Sequence, residues 1–472
     1  MTATVDTDVP ERLRAELGAA AVVTGSDAAP WSQDWTGQLA WTPLCVVRPV
    51  DAAGVSAVLR TARAAGVPVV PVSGNTGLAG GTVGDGAIML SLDRMNRIRR
   101  IRPEARVAEV EAGVILSQLH EAAAGYGLSF PMTFGAKGSA RMGGILATNA
   151  GGSNVVRYGN TRDLVLGIEA VLPDGEIVNL MGALHKDNSG LNLKHLLIGS
   201  EGTLGIITAA TVTLVPEPVA HATAMVAVPS LTDALSVLNT LQSRTGGAVE
   251  AFEYMDAMFM QIYAAHKPDA PDPFDAPHAV NILCEIGSAD PASAVPDADG
   301  RLPLDVVLEK VLSEALEDGR AIDAVVAQSE AQRRAMWARR EAAAEITVLR
   351  KPVIISDIAV ALDDVAGFIA AVEARLPGID TGVEIMAVAH LGDGNIHFSV
   401  WPSDPALKDS LVEAIEDEVV RVNGSFSAEH GIGSLKLSSM RRRKDPGAVR
   451  AMRAIKAALD PDGLLNPGKL IP

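Results

Sequence analysis

The chain has 472 residues, 48% of them apolar, with a net charge of −17 and a pI near 5.0. That length asks for two or three domains, and the acidic balance disfavours a nucleic-acid partner, which needs a basic footprint. Two cysteines, Cys45 and Cys284, and no CxxC argue against a disulfide framework, a thiolate zinc site and an iron–sulfur cluster. The stretch from Met1 to Gly18 is acidic and has no apolar core of the signal-peptide kind. No run approaches the roughly 18 apolar residues of a membrane span, so the expectation is a cytoplasmic protein without a transmembrane segment.

In chain order, the pattern predicts a helix over Pro10–Ala21, a strand over Cys45–Pro49, an amphipathic helix over Asp51–Ala65 and a strand over Val67–Val72. The second strand runs into Ser73-Gly74-Asn75-Thr76-Gly77-Leu78-Ala79-Gly80-Gly81. This is neither GxGxxG nor a Walker A loop. Two readings stand: a tight turn, or bare backbone N–H groups cradling a phosphate. Strands over Ile88–Leu92 and Val107–Glu111 and a helix over Ile115–Gly125 follow. A long small-residue tract from Gly135 to Gly152 comes next, and a third tract runs from Leu196 to Thr208. Giving up side chains over such lengths lets backbone approach a large ligand. Pro173-Asp174-Gly175 is a hairpin signal.

From Val219 the glycine tracts stop and helices alternate with strands, predicting one antiparallel sheet with helices on a face. Helices are predicted over Val306–Leu316, Glu330–Leu349 and Val365–Ala374, with a strand over Ile354–Val360. Then comes His390-Leu391-Gly392-Asp393-Gly394-Asn395-Ile396-His397. With Gly392–Asn395 as a four-residue turn, Leu391 faces Ile396 and His390 faces His397 on one sheet face. The pair reads either as ordinary core or surface histidines or as two ligands of one metal ion. Glu429-His430, set among small residues, adds a carboxylate and a base, or a helix cap. Two imidazoles and a carboxylate make an open divalent site, and a neutral His430 beside it can take a proton from a substrate hydroxyl. Arg339-Arg340-Glu341 is either a solvated helix face or a bidentate clamp for a carboxylate. A C-terminal helix is predicted over Pro446–Leu459.

Six ordered motifs carry a resemblance: SGNTGLAGG from Ser73, GAKGSARMGGILATNAGGSNVVRYGNTRD from Gly135, KDNSGLNLKHLLIGSEGTLGIIT from Lys186, HLGDGNIH from His390, SAEHGIG from Ser427 and LDPDGLLNPGK from Leu459. The chain resembles the FAD-linked PCMH-type oxidoreductases of the vanillyl-alcohol oxidase superfamily, in the branch of the D-2-hydroxyglutarate and D-lactate dehydrogenases. The resemblance implies an α+β fold with a PCMH-type FAD-binding domain of two α+β subdomains, an antiparallel-sheet substrate (cap) domain and a C-terminal helical segment. The expected boundaries are 1–39 for an N-terminal extension, 40–218, 219–425 and 426–472.

It further implies a non-covalent FAD, since no His or Cys stands between Ser73 and Gly77. The pyrophosphate would lie on Ser73, Gly74, Asn75, Thr76 and Gly77, with Gly80 beside them. The flavin ring and ribityl chain would lie along Gly135, Ala136, Ser139, Gly143, Gly144, Ala147, Thr148, Asn149 and Gly152. Glu201, Gly202, Gly205, Ile206 and Asn466 complete the implied site, with Ile206 towards the adenine end. Matching motif positions make His390, His397 and Glu429 ligands of a divalent metal, zinc first and manganese or iron as alternatives. His430 is then the base and Arg340 the holder of the substrate carboxylate. The implied reaction oxidises a D-2-hydroxy acid to the 2-oxo acid with hydride transfer to FAD. An electron acceptor (an electron-transfer flavoprotein, a quinone or a cytochrome) and a homodimer are the implied partners.

Three positions depart from the hydroxyglutarate branch, where a Thr, a Lys and an Asn contact substrate. Here they are Ala344, Ile355 and Ser399. Losing a cation and two hydrogen-bonding groups would leave a second substrate carboxylate poorly held. The expectation is therefore a D-2-hydroxy acid with a small or apolar tail, as in D-lactate. D-2-hydroxyglutarate itself, an oxidase passing electrons to O2, and a flavin-binding subunit without turnover are the alternatives.

Overall fold

A computed structural model of the protein describes residues 8–472. These form two compact units: residues 8–151, 160–216 and 429–472 make one, and residues 152–159 and 217–428 the other. The first unit is therefore assembled from three stretches of sequence, and the last residue of the long small-residue tract, Gly152, groups with the second unit together with the seven residues after it.

The first unit holds two main sheets. Cys45–Val47 and Val69–Val72 both run parallel to Ile88–Ser91, which lies between them, and Val22–Val23 adds an antiparallel edge. The helix joining the outer two strands, Ala52–Ala65, starts where the Asp51 side chain accepts from the Gly54 N–H at 2.8 Å. It ends at Gly66, whose left-handed φ of +66° glycine reaches without strain. The C-terminal stretch closes this sheet: Leu465 bridges beside Val69 and is buried in the same core as Ile88 and Val55. The other sheet is antiparallel, in the order Ile98–Arg102, Val107–Glu111, Ile206–Thr213, Val165–Val171, Ile177–Leu180. The Pro173-Asp174-Gly175 turn joins its last two strands, as the sequence predicts.

The second unit is one seven-stranded antiparallel sheet. Its order is Asp323–Val326, Ala220–Val228, Val280–Ser288, Val249–Asp256, Glu384–His390, Asn395–Trp401, Ile354–Ala359. Successive residues alternate between faces. Ala387, Ala389, Ile396 and Phe398 pack under the amphipathic helices Leu231–Thr245, Pro303–Glu317, Val365–Arg375 and Lys408–Arg421. The other face carries Met225, Met255, Leu283, Met386 and Val388 against Ala257–His266 and Glu330–Glu341. The predicted helix over Glu330–Leu349 is two helices, Glu330–Glu341 and Ala343–Thr347, breaking at Ala342. Gly18, at φ +89°, stops the first helix at Leu17, short of Ala21.

The histidine hairpin forms, but in a register two residues from the predicted one. His390 pairs with Asn395, and His397 pairs with Val388. The turn is Leu391–Gly394, because Asn395 is drawn into its strand, where its side-chain amide donates to Asp357 Oδ1 at 2.9 Å and to the Ile358 carbonyl at 3.0 Å. Leu391 goes into the helix-covered core instead of facing Ile396. A slip of two preserves the face, since side chains alternate with period two. Both histidines therefore still share a face. Gly394 sits at φ +81°, and a Cβ there would lie 2.2 Å from the Val360 carbonyl oxygen. Gly394→Ala is expected to destabilise the protein by at least about 2 kcal/mol, from backbone strain plus that clash. A urea midpoint reads it, with Gly367→Ala on the open face of its helix as the control, expected neutral or stabilising by up to ~1 kcal/mol. Equal midpoints for the two variants would refute the strain.

Candidate active site

Four adjacent strands place a row of titratable side chains on the face opposite the four amphipathic helices. Glu253 lies directly across from His390, and Asp357 directly across from His397. The two imidazole rings are diagonal neighbours with centroids 5.2 Å apart at 82°, and they can bring one nitrogen each within 4.8 Å. Glu253 is fully buried and holds His390 Nδ1 at 2.8 Å from its Oε2. A carboxylate on a ring nitrogen fixes the orientation of the imidazole. Asp357 Oδ1 stands 3.8 Å from His397 Nδ1. Glu253 is thus within hydrogen-bond distance of His390, whereas Asp357 is near His397 but beyond that distance.

Arg340 completes the buried cluster. Its Nε lies 2.8 Å from Glu253 Oε2, and its Nη2 3.5 Å from His390 Nδ1. It arrives there on one stripe of the Glu330–Glu341 helix. Arg333 grips both oxygens of Glu285 at 2.7 Å, and Trp337 Nε1 donates to the same carboxylate at 2.8 Å. The spacing 333, 337, 340 is one helix face. Arg339, one residue away, instead lies over the Tyr263 ring. Burial pushes the Glu253 carboxyl up, but the charges of His390 and Arg340 outweigh it and hold the group below its ordinary range. A lowered carboxyl stabilises the fold at pH values above its unfolded pKa, and this is lost as pH falls through the folded one. Burial also raises Asp393, in the turn between the histidines, to about 6.

Glu429 and His430 follow directly on residues of the second unit. Ser425 and Ala359 exchange backbone hydrogen bonds, and the Ala428 N–H donates to the Asp357 carbonyl at 3.2 Å. The chain therefore runs along the edge strand Ile354–Ala359, beside the partner of His397. The Cα of Glu429 can be no more than about 3.8 Å beyond that of Ala428. Both residues are half-buried and are grouped with the first unit.

In the first unit the glycine tracts meet. A Cβ on Gly74 would lie 2.6 Å from the Ser139 carbonyl, and one on Gly143 would lie 3.3 Å from Ser73 Oγ. The Glu201 N–H donates to the Ala147 carbonyl at 2.8 Å, and Asn466 Nδ2 donates to the Glu201 carbonyl at 2.7 Å. The loop after Val72, the small-residue tract, the third tract and the C-terminal turn are one cluster.

A family model described as "FAD linked oxidases, C-terminal domain" matches residues 217–470, and one described as "FAD binding domain" matches residues 43–181. The chain belongs to the FAD-linked oxidases. A D-2-hydroxyglutarate dehydrogenase of Xanthomonas citri pv. viticola is 35% identical over 94% of this chain and 93% of its own length. The mitochondrial D-2-hydroxyglutarate dehydrogenase of Bos taurus is 35% identical over 94% of this chain and 79% of its own. In structure the chain is similar to p-cresol methylhydroxylase, with a TM-score of 0.75 at 17% identity, covering 99% of this chain and 97% of the other. A 4-ethylphenol oxidase from Gulosibacter chungangensis gives 0.71 at 18% identity, covering 99% and 97%. The fold is thus the α+β arrangement of the vanillyl-alcohol oxidase class, and this FAD-linked oxidase is an oxidoreductase. Among its described residues no helix is long and apolar enough to cross a membrane.

The first unit suits FAD. Among the described residues, none of the four amides from Gly74 to Gly77 finds a hydrogen-bond partner. Consecutive unpaired N–H groups form a nest for an anion such as a pyrophosphate. Cβ positions at Gly77, Gly135 and Gly138 point into open space, which leaves backbone accessible to a large ligand. Ser200 Oγ and Asn466 Oδ1 are buried without partners. Other implied cofactor residues have work inside the oxidase itself. Asn149 caps its helix at φ +51° and accepts from the Arg162 N–H, and Thr148 bonds back to the Gly144 carbonyl. Gly202 and Gly205 pack against Pro71 and Leu197, and the Ile206 side chain is in the apolar core. The Asn75 side chain donates to the Gln33 carbonyl and accepts from Thr82. Gly152 groups with the second unit.

Glu253 and Asp357 are the site residues that the motifs do not announce. Their signal is a carboxylate inside an apolar strand, Ala251-Phe252-Glu253-Tyr254-Met255 and Val353-Ile354-Ile355-Ser356-Asp357-Ile358. A buried charge in such a place needs a partner.

Proposed function

We propose that this FAD-linked oxidoreductase oxidises a D-2-hydroxy acid to the 2-oxo acid, with a divalent metal held by His390, His397 and Glu429. The observation that carries the reading is the pair of imidazoles on one sheet face, with Glu253 bonded to His390 and Asp357 near His397. Metal-bound histidines are commonly oriented as His390 is here, by a carboxylate on one ring nitrogen. Two nitrogens and a carboxylate oxygen suit zinc, with manganese or iron as alternatives. When bound, FAD supplies the hydride acceptor and the metal polarises the substrate hydroxyl.

The chain's own groups do the rest. His430 takes the hydroxyl proton as C2 loses its hydride. Arg340 has five N–H donors, and those that Glu253 does not face can hold the substrate carboxylate. Pairing with Glu253 fixes the guanidinium, so less freedom is lost on binding. Glu253 and Arg340 also neutralise one another, which leaves the substrate anion and the metal to balance charge locally.

The reading of the substrate tail rests on Ala344, Ile355 and Ser399. Ser399 is buried, with its Oγ 3.1 Å from Thr347 Oγ1, and it faces Ile355 across the strands. None of the three adds a cation, and the one hydroxyl already has a partner. This supports a small or apolar tail, as in D-lactate. The names of the relatives favour a second reading, D-2-hydroxyglutarate. An anaerobic panel that follows flavin bleaching separates them. D-Lactate or a short aliphatic D-2-hydroxy acid is expected to exceed D-2-hydroxyglutarate by about tenfold or more in kcat/KM, as befits a missing partner for a buried carboxylate. A preference for D-2-hydroxyglutarate would overturn the small-tail reading, and no bleaching with any of them would overturn the activity. Peroxide release in air would identify O2 as the acceptor in place of a flavoprotein, quinone or cytochrome.

A further inference from the structure

Glu201 is buried at the third glycine tract, at φ +51° and followed by Gly202 at φ +68°. Non-glycine residues at positive φ are uncommon, and the conformation persists only where surroundings hold it. Here both carboxylate oxygens are engaged. Oε1 accepts the Ile432 N–H at 2.7 Å, and Oε2 accepts the Gly433 N–H at 2.7 Å. These amides lie two and three residues beyond His430. The loop is pressed home from both sides. A Cβ on Gly431 would lie 2.7 Å from Glu201 Oε1, and a Cβ on Gly433 would lie 1.9 Å from the Ala79 carbonyl. The backbone of Glu201 is tied in turn to Ala147 and Asn466.

We propose that Glu201 is a positioning residue for the reaction: its carboxylate, bridging the Ile432 and Gly433 amides, fixes where Glu429 and His430 stand. This rests on the roles given above to Glu429 and His430. Two hydrogen bonds to adjacent amides, one at each oxygen, clamp both translation and tilt of the loop. Misplacing a base or ligand by about 1 Å can cost on the order of a hundredfold in rate. The same residue has its backbone on the small-residue tract, so the ground that carries the flavin also carries the base. Glu201 therefore acts through the loop and not as a contact to the cofactor.

Glu201→Gln keeps the volume but offers one of the two amides a donor instead of an acceptor. The variant is expected to bind FAD at wild-type stoichiometry. Its kcat should fall by about 10–100-fold with KM changed much less, and its affinity for zinc, read by competition with a colorimetric chelator, should weaken by about tenfold. Gly431→Ala disturbs the same loop from its other side, should give the same pattern, and serves if Glu201→Gln fails to fold. Wild-type kcat and zinc affinity in a folded Glu201→Gln would overturn the proposal, and so would parallel loss of FAD. His430→Asn, run alongside, separates the two levels. If it leaves the rate intact, the reading of the site fails. If it abolishes turnover while Glu201→Gln does not, only the positioning role fails.

Discussion

Replacing His390 with alanine is expected to leave FAD bound and to abolish rapid flavin bleaching by the D-2-hydroxy acid. His390 joins one of the two nitrogens of the proposed metal site to the buried pair Glu253 and Arg340. Losing a group that merely supports a metal ligand costs about 10–100-fold, so losing the ligand itself should cost at least about a hundredfold. Zinc, manganese or iron measured after gel filtration should fall from one per chain to well below that. The proposed FAD cradle draws on the glycine tracts of the first unit and His390 belongs to the second, so flavin content should not change. Full activity in His390→Ala would remove the metal from the mechanism. His397→Ala should behave alike, and a wild-type metal content in both variants would show that the two imidazoles are ordinary residues of the sheet face.

Replacing Glu253 with leucine is expected to cost stability as well as activity. The carboxylate has no solvent access and carries the counter-charge of Arg340, itself buried. Removing one member of such a pair leaves an uncompensated charge inside the protein, typically a loss of about 3–5 kcal/mol. His390 would also lose the partner that fixes its orientation, so metal affinity should fall along with the denaturation midpoint. Glu253→Leu combined with Arg340→Met should recover much of the stability, because a well-packed apolar pair can replace a buried ion pair at little net cost. It should recover none of the activity. A single Glu253→Leu variant within about 1 kcal/mol of wild type in urea would refute the importance of the pair.

Much of this was legible in the sequence because it is local. The caps at Asp51 and Gly66 and the helix Pro446–Leu459 follow from neighbouring residues. The shared face of His390 and His397 was legible too, for a reason of parity: any even slip keeps it. The register was not, because the contact that sets it is between Asn395 and Asp357, on a strand thirty-eight residues earlier. Glu253 escaped for the same reason, since its importance depends on which strand becomes its neighbour. Arg340 was legible as a cation of interest but not as half of an internal ion pair. Glu201 was read with the flavin because it sits in a glycine-rich motif, whereas its side chain serves a loop far along the chain.

The sheet that Val69 belongs to has a consequence for how the protein is made. Leu465 bridges beside Val69 and Asn466 ties down Glu201, so the first unit stays unfinished until those residues emerge from the ribosome. At roughly 5–20 residues per second, that is tens of seconds of synthesis during which an apolar sheet waits for its edge. The second unit, by contrast, is nearly contiguous from 217 to 428 and can close meanwhile. The nascent chain is therefore expected to hold a finished histidine-bearing sheet before it holds a finished flavin cradle, which makes cofactor capture a late event of its biosynthesis.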